Sequence, residues 1–196
     1  MHKLARDYTQ LPHGLPEPED DGAADHLAGA ELPDLSLPST AGVDVNVRNA
    51  AAEGTLVLYI YPRTGTPGEP LIEGWDDIPG ARGCTPQSCS FRDSHGELER
   101  LGARVHGLST QSLEEQHEFA SRVELPYPLL SDPELRLAAA LRLPTFEAGG
   151  LTLFKRITLI ARDGRIEKVF YPVFPPDRNA ADVVEWLAGN SRAETG

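Results

Sequence analysis

Residues 55 to 61, ThrLeuValLeuTyrIleTyr, form an unbroken run of strand-favouring side chains with no polar face. A strand with one wet face alternates apolar and polar residues, so a run without alternation belongs where both faces of a sheet are covered. Covering both faces takes a helix between successive strands. The chain supplies one: residues 84 to 101 read as helix, interrupted near 94 to 96, and ArgValHisGlyLeuSer at 104 to 109 returns to strand. This is a β-α-β unit, which predicts parallel strands and a right-handed crossover.

The remaining pattern extends that unit. LeuProAspLeuSerLeuPro (32 to 38) and ValAspValAsnVal (43 to 47) suggest a short hairpin. Helices are expected at 113 to 122 with Ser112 as cap, at 133 to 143 after Asp132, and at 179 to 188. Strands at 151 to 160 and 165 to 171 enclose Asp163-Gly164, a strong hairpin-turn signal. The order β-α-β-α, then a β-hairpin, then α, is that of a thioredoxin-like α/β fold: a central mixed β-sheet flanked by helices. Residues 1 to 31 read as an N-terminal extension, 32 to 190 as the domain and 191 to 196 as a C-terminal tail. The segment 62 to 83 is dense in Pro and Gly without a period, and a loop of that length inside a compact domain is usually functional or mobile. Trp75 within it is expected to pack the loop down.

With 196 residues, 40% of them hydrophobic, the chain can bury a sizeable core in one domain. Its net charge of −12 disfavours nucleic acid and anionic membrane as partners, since both would repel it. No apolar run reaches the roughly 18 residues a membrane span needs, and the first ten residues do not read as a signal peptide. A cytoplasmic location is expected, where a disulfide would be transient and redox-active.

The only two cysteines, Cys84 and Cys89, are separated by four residues at the expected helix start. A structural staple, half of a metal site and a pair of thiols reacting in sequence are the competing readings. Metal binding needs three or four ligands, and His95, His106 and His117 have no finger-like spacing to the cysteines. A loop this short removes little unfolded-chain entropy, which weakens the staple. The first turn of a helix presents unpaired N–H groups and the positive dipole end, which favour a thiolate at Cys84. With both cysteines helical, their Cα atoms would lie about 8–9 Å apart. A disulfide needs roughly 4.4–6.8 Å, so the helix would have to unwind to join them.

The segment CysThrProGlnSerCysSerPheArgAsp, 84 to 93, closely resembles the active-site segment of the peroxiredoxin Q family, also called bacterioferritin comigratory protein. The strand ending in TyrIleTyrPro62, then ThrPro67Gly68, LeuProTyrProLeuLeuSerAspPro at 125 to 133, and Arg156 before IleThrLeuIle are similar in the same order. The resemblance spans about 32 to 188 and implies a thiol peroxidase without metal, haem or flavin. It implies that Cys84 attacks a hydroperoxide and becomes sulfenic acid, that Cys89 condenses with it into a disulfide, and that thioredoxin or a glutaredoxin-type dithiol reduces the product. Pro62, Thr66 and Arg156 would line the peroxide site, with Arg156 as cation and Thr66, backbone N–H groups and Arg82 as dipoles. A monomer is expected.

One departure stands out. Where the family's Pro-x-x-x-Thr-x-x-Cys would place cysteine, this chain has Glu69, and fifteen residues, 69 to 83, precede Cys84. The expectation is that this insertion loops out and Thr66 still reaches the thiolate; the alternative is that another group replaces it. A redox-sensing adaptor signalling through the same disulfide, and a protein disulfide oxidoreductase, are the other readings; the lack of Cys-x-x-Cys weakens the latter. His117 reads as a helix-surface residue, His95 as a neighbour of the helix break, Trp186 as core and Asp20-Asp21 as a solvated tail.

Overall fold

The structure is a computed structural model in which residues 8 to 191 are described; residues 1 to 7 of the expected extension and 192 to 196 of the expected tail lie outside them. Strands β1 (Ser36–Leu37) and β2 (Val45–Asn46) pair antiparallel as the short hairpin. The hairpin is shorter than its sequence pattern because Asn46 caps a helix, accepting the Asn49 N–H and starting α1 (Val47–Ala52). All six residues of β3 (Thr55–Ile60) are buried, as their unbroken apolarity requires.

Helices α2 (Cys84–Asp93) and α3 (His95–Arg100) follow, divided at Ser94, and lead into β4 (Ala103–Ser109), parallel to β3. Ser112 and Glu115 form a reciprocal capping box on α4 (Leu113–Arg122). Beyond β5 (Leu129–Ser131), helix α5 (Arg136–Leu141) starts later than its pattern suggests. Leu135 turns left-handed before it, and the Asp132 carboxylate accepts the N–H groups of Arg136 and Leu137, each at 2.9 Å.

The expected strand 151 to 160 is two strands. β6 (Thr145–Ala148) and β7 (Leu151–Phe154) make a separate ribbon, and β8 (Ile157–Arg162) joins the main sheet. The break falls at Lys155-Arg156, where Lys155 N–H turns to the Pro144 carbonyl and the Arg156 side chain turns inward. Asp163 and Gly164, both at positive φ, connect β8 to β9 (Arg165–Phe170), and α6 (Asn179–Gly189) closes the chain after a single 3-10 turn at Pro176–Arg178.

The main sheet has the order β5-β4-β3-β8-β9, with β3, β4 and β5 parallel and β8 antiparallel to both neighbours. Its alternation builds two cores. Leu56, Leu58 and Ile60 face one that includes Val47, Leu137 and Phe154; Val57, Tyr59 and Tyr61 face the other, with Phe91, Leu98, Phe119, Val183 and Leu187. Trp186 is only partly buried and lies under the Arg162 guanidinium.

Both irregular segments are packed. Leu27 and Leu32 are buried in the first core, and residues 29 to 32 run along β9, with Gly29 N–H on the Ile166 carbonyl and Ile166 N–H on that of Ala30. Burying a leucine is worth roughly 1.5–3 kcal/mol, enough to fix the segment. Asp21 is exposed, as expected, but held in place: its carboxylate takes the Lys155 Nζ at 2.8 Å and the Tyr171 hydroxyl at 2.7 Å. The Lys155 bond chiefly, then that of Tyr171, holds it well below the usual carboxylate range. In the insertion, Trp75 packs with Ala81, Leu153 and Phe146 in a small core against the β6–β7 ribbon. Among the described residues, no helix is long and apolar enough to cross a membrane.

Candidate active site

The site forms where α2 begins beneath the end of β3. Its N-cap, Gly83, has φ of 109°, a conformation L side chains rarely adopt. A Cβ there would also meet Pro176 Cγ at 2.3 Å and Leu11 Cδ2 at 2.8 Å. Glycine fits this crowded turn and brings no side chain to cap the helix. The first-turn N–H groups of Cys84 and Thr85 are therefore left for something else.

Cys84 is 3% exposed, and its Sγ accepts a hydrogen bond from Arg156 Nη2 at 3.3 Å. Arg156 itself is 4% exposed. Its Nη1 donates to Gln87 Oε1 at 2.5 Å, and Nη2 also donates to the carbonyls of Ala81 (3.0 Å) and Arg82 (3.2 Å). These oxygen acceptors are all uncharged. Gln87 is fixed in turn: its Nε2 donates to Asn179 Oδ1 at 3.0 Å, and the Thr158 hydroxyl donates to the same oxygen at 2.7 Å. One buried relay thus ties α2, β8 and α6 around the guanidinium.

Thr66 is not brought to the sulfur. It is exposed, in a turn closed by Glu69 N–H on its carbonyl, and does not line the cavity beside Cys84. The buried threonine of the segment is Thr64, whose N–H and hydroxyl both donate to Gln111 Oε1. The insertion carries the chain away after Gly65, so the spacing that would aim Thr66 at the helix start is lost. Pro62 is buried but does not line the cavity. Arg82 does; its side chain pairs with Asp76 at 2.8 Å, and its carbonyl holds Arg156.

Thr85, within the motif but not singled out as a site residue, also lines the cavity. Its hydroxyl is buried without a hydrogen-bond partner, an uncommon state for a polar group. The pointer in the sequence is its place in that motif, next to Cys84.

A buried sulfur thus sits at an uncapped helix start in contact with a buried arginine, and the comparisons with known proteins give the family. The redoxin family matches residues 27–185. Peroxiredoxin bcp1 of Schizosaccharomyces pombe is 32% identical, over 75% of this chain and 70% of its own. Peroxiredoxin Bcp of Escherichia coli is also 32% identical, over 82% of this chain and 94% of its own. The chain belongs to the redoxin family. Among solved structures, Peroxidoxin BcpB from Mycobacterium tuberculosis superposes with a TM-score of 0.69 at 27% identity, covering 86% of this chain and 100% of the other. Thiol-dependent peroxide reduction is the activity class of these peroxiredoxins and of this chain.

The second thiol of this redoxin, Cys89, is partly buried in the core beneath α2, and an unbroken helix separates it from Cys84; no disulfide joins them. Next to it, Ser88 is held on two sides: its hydroxyl accepts from Tyr59 at 2.9 Å and its carbonyl from Tyr127 at 2.8 Å, with the two phenols 2.9 Å apart. Burial pushes the Tyr59 and Tyr127 hydroxyls above their ordinary range, so they stay neutral donors.

Proposed function

We propose that the Cys84 thiolate reduces hydroperoxides and that Cys89 resolves the product. The sulfur attacks the distal peroxide oxygen, the O–O bond breaks, and its electron pair leaves with the proximal oxygen, which is protonated to water or alcohol. Cys84 becomes a sulfenic acid. The Cys89 thiol then attacks Cys84 sulfur, expelling water and forming an intramolecular disulfide, which a thioredoxin- or glutaredoxin-type dithiol reduces by exchange. Both thiols lie in one chain, so the cycle needs no second copy, and a monomer in a reducing cytoplasm suffices for it.

The contact between Arg156 and Cys84 Sγ carries this reading. A buried guanidinium whose oxygen acceptors are all uncharged is costly unless an anion faces it, and a thiolate would supply that anion. Thiolate formation is a small part of the rate. A free thiol is about 3% ionised at pH 7, so complete ionisation gains only about 30-fold. Donors that strengthen as charge moves from sulfur to the leaving oxygen do more. Arg156 Nη2, the first-turn N–H groups and the unpartnered Thr85 hydroxyl are the donors in place.

Cys84→Ser should abolish peroxide consumption, and retained turnover would end the reading. Cys89→Ser, given limiting peroxide, should stall with Cys84 as a dimedone-trappable sulfenic acid. Mass spectrometry showing normal disulfide-linked turnover in that variant would exclude Cys89 as resolver.

A further inference from the structure

The cavity beside Cys84 has no more room than about one water molecule needs, and what narrows it comes from two segments distant in sequence. Leu71 and Trp75 belong to the insertion. Tyr8 comes from the N-terminal segment, which crosses the site again at Leu11, against Gly83. Tyr8 is 4% exposed and clamped on two sides: its hydroxyl donates to the Glu69 carbonyl at 2.7 Å, and the Arg82 guanidinium lies over its ring at 5.2 Å from the centroid. Arg82 is itself fixed, its side chain to Asp76 and its carbonyl to Arg156. The ring and the cation at the sulfur are therefore referenced to one residue.

Contact around the ring is close. A Cβ on Gly65 would lie 2.9 Å from Tyr8 Cε2 and 3.0 Å from Leu71 Cδ2, so the ring and the leucine leave no room for a side chain at position 65. Arg156 also lines a wider groove of about 420 Å³, with Ile78, Phe146 and Val173 among its walls. Crowding is a property of the approach to Cys84.

We propose that Tyr8 is a specificity-determining residue: its ring, clamped in the wall of the cavity beside Cys84, admits hydrogen peroxide and excludes branched or aryl hydroperoxides. This deepens the peroxidase reading and rests on it for the identity of the substrate. The steric claim about the thiol stands apart from it. A ring wall selects by volume, so selectivity should follow the size of the side chain at position 8. It should depend less on the hydroxyl, which anchors the ring without facing the sulfur.

The test compares kcat/KM for cumene hydroperoxide with that for hydrogen peroxide in the full chain and in Tyr8→Ala, Tyr8→Phe and Tyr8→Trp. The ratio of bulky to small substrate should rise at least about tenfold in Tyr8→Ala, the scale on which pocket volume discriminates, rise less in Tyr8→Phe, and fall in Tyr8→Trp. An unchanged ratio in Tyr8→Ala would overturn the proposal. A second measurement needs no peroxidase activity: in a Cys89→Ser background, the rate of Cys84 alkylation by pyrenylmaleimide relative to iodoacetamide should rise with Tyr8→Ala. If the parent protein consumed neither peroxide, the functional reading would fall, while the alkylation ratio would still decide whether Tyr8 guards the thiol. An unchanged alkylation ratio refutes the gate.

Discussion

Replacing Arg156 with methionine keeps a long side chain and deletes the charge beside the sulfur. Two unit charges 3.3 Å apart interact by about 5 kcal/mol at an effective dielectric near 20, an upper figure because guanidinium charge is spread over three nitrogens. Only the part of that energy that grows in the transition state affects the rate. As the O–O bond breaks, charge passes from the sulfur to the leaving oxygen, and one preorganised donor at such a position is typically worth about 2.7–4 kcal/mol. Arg156→Met should therefore lower kcat/KM for peroxide by about 10²–10³. The substitution also leaves the Ala81 and Arg82 carbonyls and Gln87 Oε1 without their donor, so some stability will be lost. Denaturant unfolding must accompany the kinetics to establish that the variant is folded. Trp75 lines the same cavity as Cys84, so stopped-flow fluorescence of the prereduced protein offers a direct assay of the oxidation step. Arg156→Lys returns a point charge without the planar fork and should recover part of the rate. A folded Arg156→Met protein reacting within about threefold of the parent, against the orders of magnitude expected of such a donor, would refute the assignment.

Thr85→Val removes a hydroxyl and keeps the shape. An idle orphan hydroxyl would make the change neutral or stabilising, whereas a donor to the peroxide should cost about tenfold or more in kcat/KM with no loss of stability. His106 tests the electrostatics of the fold away from the site. Burial, and to a lesser degree the Arg104 charge, push its pKa down to about 4, below the unfolded value near 6.5. The unfolded chain therefore binds the extra proton first. Stability should be full above pH about 6.5 and fall by up to about 3 kcal/mol as pH drops toward 4. Urea midpoints at pH 7 and pH 4.5 should show that loss reduced in His106→Leu; an equal drop in both proteins would contradict it.

Regular elements were legible where one physical signal dominated. The unbroken apolarity of residues 55 to 61, Ser112 three residues ahead of Glu115, and Asp163-Gly164 each fix local geometry without help from distant residues. The strand expected through 151 to 160 shows the limit of pattern reading. Lys155 and Arg156 do not break the apolar pattern, and the partners that turn the chain there, the carbonyls of Pro144, Ala81 and Arg82, are distant in sequence. In the site, Cys84 and Arg156 were legible because their own sequence neighbourhoods carry the resemblance. The Thr66 expectation assumed that an insertion preserves the direction of the chain, and the turn after Gly65 does not. Tyr8 had no signal: an aromatic residue in a Pro- and Gly-rich extension gives no sign of which distant surface it covers.

The same packing that builds this site sets the order of events proposed for it. Joining Cys84 to Cys89 requires part of α2 to unwind, and the helix is not held equally along its length. Its later turns are fixed by Ser88 between two buried phenols, by Phe91 stacked on Tyr59 at 4.5 Å, and by Arg92 donating to the Val123 carbonyl. At the other end, Gly83 provides no side-chain cap, Pro86 has no N–H to give, and the first backbone bond is Gln87 N–H to Gly83. That turn is also steadied by Gln87 Nε2 on Asn179 and by the guanidinium, which bonds both Gln87 Oε1 and Cys84 Sγ. Oxidation to sulfenic acid removes the negative charge on sulfur that Arg156 would face in the reduced state. The chemical step thus weakens a charge-dependent restraint at the Cys84 end and leaves those on the later turns unchanged, so Cys84 should travel to a largely stationary Cys89 and not the reverse.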